Sequence, residues 1–190
     1  MIERTSIAGE MIIKFEVADI DADGRHEVVA LRADGVVACY DIRGKEKWSV
    51  FADPYVCDFT TCDINGDGKA EVLAISRSKM LYVMSCKGKV SKYDAESLIG
   101  TPFIISRISG VKGRFIVATK EGVIDIVGIP MGGRFVRRSG RIELLSSLGP
   151  VVGMPTALCV EDVDGDGCEE IIIGSLDGRV AVLRPSGDTL

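Results

Sequence analysis

Three eleven-residue phrases carry most of the chemistry open to this chain: DIDADGRHEVV from Asp19, DINGDGKAEVL from Asp63 and DVDGDGCEEII from Asp162. Each reads D-x-[DN]-x-D-G-x-x-E and runs on into apolar residues. Clustered oxygen donors suit a hard divalent cation; calcium takes six to eight of them at about 2.3–2.6 Å. Positions one, three and five turn alternate side chains inward around a tight loop, and the glycine at six permits the bend. The carbonyl at seven then points in, and the carboxylate at nine returns from the following strand.

The expected ligands follow from that spacing. They are Asp19, Asp21, Asp23 and Glu27 with the Arg25 carbonyl in the first loop. In the second they are Asp63, Asn65, Asp67 and Glu71 with the Lys69 carbonyl, and in the third Asp162, Asp164, Asp166 and Glu170 with the Cys168 carbonyl. Like charges packed this closely repel unless a cation sits among them. Three divalent ions would move the formal net charge from −5 to about +1. All-oxygen ligation favours calcium over zinc or copper, with magnesium as the alternative. One acidic turn alone reads as plain surface; three in register, each keeping position nine, read as metal loops.

An EF-hand series is excluded by spacing. That loop needs a bidentate glutamate at position twelve between two helices, and position twelve here is Ala30, Ala74 and Ile173. Nothing in the chain forms a catalytic constellation. His26 is the single histidine, inside the first loop at a position expected to face outward, and GxSxG and phosphate-cradling glycine loops are absent. The six cysteines (Cys39, Cys57, Cys62, Cys86, Cys159 and Cys168) include no CxxC pair. They read as reduced thiols, mostly small core hydrophobes. The acidic balance argues against nucleic acid. The basic cluster Arg134, Arg137, Arg138 and Arg141 reads as a solvated connection. The first residues lack a basic region followed by a long apolar one, and no run reaches membrane-spanning length. The cytoplasm is the expected location, with a lost leader or a truncated chain left open.

The elements that must position the loops are repeated with them. Shifted by 44 positions, EVVALRADGVVACYDIRGK falls on EVLAISRSKMLYVMSCKGK; shifted by 143, it falls on EIIIGSLDGRVAVLRPSGD. A further copy at a shift of 87, GRFIVATKEGVIDIVGI from Gly113, has lost the acidic loop and reads RISGVKG there. A period of this size marks units that cannot bury their apolar faces alone. Short β-branched runs bounded by turn residues are strands, and Asp-Gly at Asp34 and Asp177 marks tight hairpins. Each unit is a four-stranded antiparallel meander with strands apolar on both faces. The expected fold is all-β, a single β-propeller domain over residues 1–190. Its repeats span about 11–52, 55–98, 101–140 and 154–190. In the irregular stretch after the third copy, RFVRR or RIELL is expected to supply the outer strand.

DxDxDGxxE followed by an apolar strand and a DG turn resembles the FG-GAP/VCBS-type repeat of integrin-α-like β-propellers. The resemblance covers about 150 residues and implies calcium in the hairpin between the first two strands of each blade. The family's Phe-Gly and Gly-Ala-Pro elements are absent, and position nine is Glu where integrin-like loops carry Asp. DGVVACYDIRGKEKW from Asp34 resembles a quinoprotein-type blade, in which Trp48 would dock one blade on the next. The expected function is a calcium-stabilised scaffold for protein–protein interaction, not an enzyme. The alternative is a carbohydrate-active or quinoprotein-like propeller domain of a larger enzyme. Four repeats would either close a compact ring or form half of an eight-bladed propeller completed by a homodimer. RTSIAGE or MIIKFEV could supply the strand missing from the last unit.

Overall fold

The computed structural model describes residues 10–109, 111–132, 135–136 and 139–184, and every regular element in them is a strand. The first blade is β1 (Ile12–Ala18), β2 (Glu27–Arg32), β3 (Val36–Tyr40) and β4 (Glu46–Phe51), an antiparallel meander in that order. The second repeats it with β5 (Val56–Cys62), β6 (Glu71–Ser76), β7 (Met80–Met84) and β8 (Val90–Asp94). The third opens with β9 (Pro102–Arg107), β10 (Arg114–Thr119) and β11 (Ile124–Gly128).

Before its outer strand comes an excursion. A short hairpin, β12 (Met131–Gly132) and β13 (Phe135–Val136), leads to β14 (Ser139–Arg141), which pairs in parallel with β8 of the second blade. The chain then returns as β15 (Glu143–Leu148) beside β11 and completes the third blade. Of the two expected outer strands, the segment beginning RIELL is the one used, and the blade runs past residue 140. The last blade contains β16 (Pro155–Glu161), β17 (Glu170–Ser175) and β18 (Val180–Leu183). The chain is thus an all-β, four-bladed propeller arrangement, with no helix among the described residues.

Burial patterns follow from the stacking. In β6 every residue is buried, because blades press on it from both sides. In β1 half-buried and exposed residues alternate, because a blade covers only one of its faces. Three apolar clusters fill the seams. One joins blades one and two around Val29, Leu31, Phe59 and Tyr82; the next joins two and three around Leu73, Ile75, Phe115 and Val117. The third joins three and four around Ile116, Ile124, Ile171 and Ile173. No comparable strand packing joins blade four back to blade one among the described residues. MIIKFEV is itself the inner strand of blade one, so it is not available to complete blade four. RTSIAGE lies outside the described residues.

Polar contacts stitch the inner strands together. Lys14 Nζ lies 2.8 Å from Asp58 Oδ1, donates to the Phe59 carbonyl at 2.6 Å and pairs with Glu16 at 3.2 Å. Glu16 Oε2 accepts from the Thr61 amide and hydroxyl at 2.9 Å, and Asp58 Oδ2 accepts from the Ile105 amide at 2.9 Å. Burial pushes the Asp58 carboxyl up, against the pull of Lys14. Trp48 of blade one packs against the blade-two turn as expected: its indole N–H donates to the Cys86 carbonyl at 3.0 Å.

Candidate metal centres

All three acidic phrases form the hairpin loop between the first two strands of a blade: β1–β2, β5–β6 and β16–β17. Position one closes each loop. Asp19 accepts from the Asp23 and Gly24 amides at 3.1 and 2.9 Å, Asp63 from the Gly66 and Gly68 amides at 2.6 and 2.8 Å, and Asp162 from the Gly165 and Gly167 amides at 2.7 and 2.9 Å. Position nine reaches back to the amide after position one. Glu27 accepts from Ile20 at 3.0 Å, Glu71 from Ile64 at 3.3 Å and Glu170 from Val163 at 3.1 Å. The three glutamates are buried, each at the first residue of its strand.

In two loops the carboxylates converge. Oxygens of Asp19, Asp21 and Glu27 lie within 4.8 Å of one another, and so do those of Asp162, Asp164 and Glu170. Asp23 and Asp166 stand outside these triads. Each turns an oxygen to the amide two residues on, Arg25 and Cys168, at 2.8 Å. In the second loop Asp67 does the same to the Lys69 amide at 2.9 Å.

What the spacing did not reveal is a basic side chain at each triad. Lys47 of β4 donates to Asp21 and to Glu27, both at 2.8 Å, bridging positions three and nine. Hydrogen bonding to Lys47 holds the Asp21 carboxyl below its ordinary range, and the same bonds raise Lys47. Arg184 takes the corresponding place in the last blade, against Asp164 and, at 3.3 Å, Glu170. Neither was legible beforehand, because each lies outside the acidic phrase, later in the same blade. The second loop uses an amide instead, Asn65 donating to Glu71 Oε1 at 2.9 Å. With a neutral partner, burial and the nearby Asp67 push the Glu71 carboxyl up to about 7.

The oxygen sets fit a divalent cation in one telling respect. Asp21 Oδ1 is buried without any hydrogen-bond partner, and Glu170 Oε1 has only the poorly aligned Arg184 contact. A buried acceptor left unmatched is costly; a cation held by the triad would supply what is missing. Among its described residues the third repeat has no such site: its loop between β9 and β10 carries Lys112, which packs against Gly66 of the second loop. His26 is exposed and lines an open cleft of about 500 Å³ with Asp23, Arg25, Asp41 and Lys45. Of the expected basic cluster, Arg141 pairs with Asp94 at 3.3 Å, while Arg134, Arg137 and Arg138 lie outside the described residues. The six cysteines are free, and burial pushes Cys39 and Cys62 up to about 12.

Comparison with known proteins places the fold. Residues 4–93 match the family model described as lambda-carrageenase beta-propeller domain. The computationally designed Ika4 protein superposes with a TM-score of 0.66 at 17% identity, over 97% of this chain and 98% of that one. BBS1N, solved in complex with ARL6DN, gives 0.66 at 15% identity, over 91% of this chain and 48% of its own. The designed Ika8 protein gives 0.64 at 17%, over 95% and 48%. The chain therefore spans about half the length of BBS1N and of Ika8. No curated protein is matched by sequence. The chain has a β-propeller domain.

Among the described residues no helix is long and apolar enough to cross a membrane.

Proposed function

We propose that the chain is a cation-stabilised β-propeller module whose work is recognition, with the acidic hairpins as calcium sites that hold one rim of the blades rigid. The observation that carries the reading is the repeated triad. Asp19, Asp21 and Glu27, and again Asp162, Asp164 and Glu170, gather their oxygens within 4.8 Å, one of them buried and unmatched. FG-GAP/VCBS character rests on the same loops. Asp23 with the Arg25 carbonyl, and Asp166 with the Cys168 carbonyl, complete the two shells on binding, and magnesium is the competing ion.

Calorimetric titration of chelator-stripped protein tests this. Calcium binds, and at about 100 times its dissociation constant each filled site adds about 2.7 kcal/mol, raising the melting temperature by several degrees. Asp19→Asn and Asp162→Asn remove their own sites. Absence of binding heat, with a melting temperature indifferent to chelator, overturns the cation reading.

A carbohydrate-active setting is favoured by a separate observation, the match of residues 4–93 to the λ-carrageenase propeller model. In that setting the module binds polysaccharide for a catalytic domain elsewhere. Binding to λ-carrageenan and to a glycan array separates the two settings. Sugar affinity supports the second, and its absence leaves recognition of a protein partner.

A further inference from the structure

We infer that the two end faces of the four-blade arc are the two halves of one seam, and that a second copy of this chain closes it at both ends. The inference does not depend on what fills the acidic loops.

Repeat equivalence carries the argument. Phe59, fully buried, is the blade-two residue that receives blade one. Its equivalent 44 positions earlier is Phe15, which is 65% exposed on the free face of blade one. At the other end, Val37 and Cys39 of blade one, and Leu81 and Val83 of blade two, point into the next blade and are at most 2% exposed. Their equivalents in blade four are Val180 and Val182, at 71% and 57%. Exposed apolar faces of this kind mark interaction sites. Here each free face carries the side chains that interior seams bury.

The backbone repeats the pattern. Across the first two seams the carbonyls of Ile20 and Ile64 accept the amides of Ala70 and Gly113, at 3.1 and 2.9 Å. Carried on to the open ends, past a third seam that shows no such bond among the described residues, the equivalent acceptor is the carbonyl of Val163, a residue 60% exposed, and the equivalent donor is the amide of His26, also exposed. The hairpin glycines agree. A Cβ on Gly35 or Gly122 would meet the backbone carbonyl of Asp53 or Val152, in the segment entering the next blade. Gly178 holds the same conformation, φ 80°, with no described residue within 4 Å of an added Cβ.

A second copy is the occupant because each free face carries the side chains that the other would meet across an interior seam. Superposed over 95% of this chain, the four blades account for 48% of Ika8, a remainder about the size of one more copy. A head-to-tail contact closes into a ring only when its rotation divides the circle; four blades that turn through half of it do so with two copies.

Light scattering on the full chain at micromolar concentration gives twice the chain mass. Phe15→Asp and Val180→Lys each halve it while leaving the far-ultraviolet dichroism unchanged. Mixing the two variants restores the dimer, since one seam is then unaltered and the other joins opposite charges. Ile42→Asp, equally exposed but in the β3–β4 turn, leaves the mass doubled. A monomeric unaltered chain overturns the inference. So do polymers that lengthen with concentration, or failure of the mixed variants to pair.

Discussion

A buried carboxylate whose nearest partner is an amide titrates unlike one beside an ammonium, and the second loop isolates that case. Glu71 ionises at about 7 in the folded chain against an ordinary 4.5. Between those values the folded state binds more protons than the unfolded one, so this contribution to stability is fully present below about 4.5 and is lost as pH rises through about 7. Urea titrations of calcium-free protein should show the loss, and Glu71→Gln should remove it from the difference between the two curves. Lys47 poses the converse test. Its ammonium stands between Asp21 and Glu27, where a divalent ion would have to displace it. Lys47→Met should destabilise the calcium-free chain, by leaving Glu27 buried and uncompensated, yet tighten calcium at that loop. The expected gain is about tenfold or more, the factor that ~1.4 kcal/mol supplies, read by titration. The acidic spacing made Glu27, Glu71 and Glu170 legible as a set. Lys47 and Arg184 were not, because local spacing is silent about side chains that the fold delivers from another strand.

Hairpins decide how well one blade seats on the next. Gly35 combines φ 82° with a carbonyl 2.1 Å from any added Cβ, so Gly35→Ala strains the turn and drives blade one off its neighbour. The expected cost is about 3 kcal/mol in denaturant titration. In the single chain Gly178→Ala carries only the left-handed penalty, about 1–2 kcal/mol, because no described residue lies within 4 Å of the added Cβ; in a closed dimer it should cost as much as Gly35→Ala. Blade two manages the same corner without glycine, with Lys79 at φ 57°. Strand, loop and hairpin order could be read from the sequence because each depends on neighbours a few residues apart. The β12–β14 excursion could not: β14 pairs in parallel with a strand some 47 positions earlier, Ser139 opposite Lys92. No periodicity announces that pairing.

Over the whole molecule, stability should be graded along the arc. Blades two and three have a seam on each side; blades one and four have one each. Hydrogen exchange should therefore be slowest in β6, β7 and β10 and faster in β1 and β18, and a stabilising partner at the ends should flatten the gradient. Equal protection of all four blades in a monomer would contradict this. The number of blades was countable from the repeats, but whether the arc closes was not, since closure turns on small inter-blade angles that no local residue pattern specifies.

The return of the chain from blade three to the rim of blade two has a mechanical consequence. Seams made only of facing side chains can slide or peel one at a time, whereas β14 laces one sheet to the strand order of another through main-chain bonds. Pulled from its two ends, the protein should shed its outer blades first and keep a central pair that yields together, as a single late event under force.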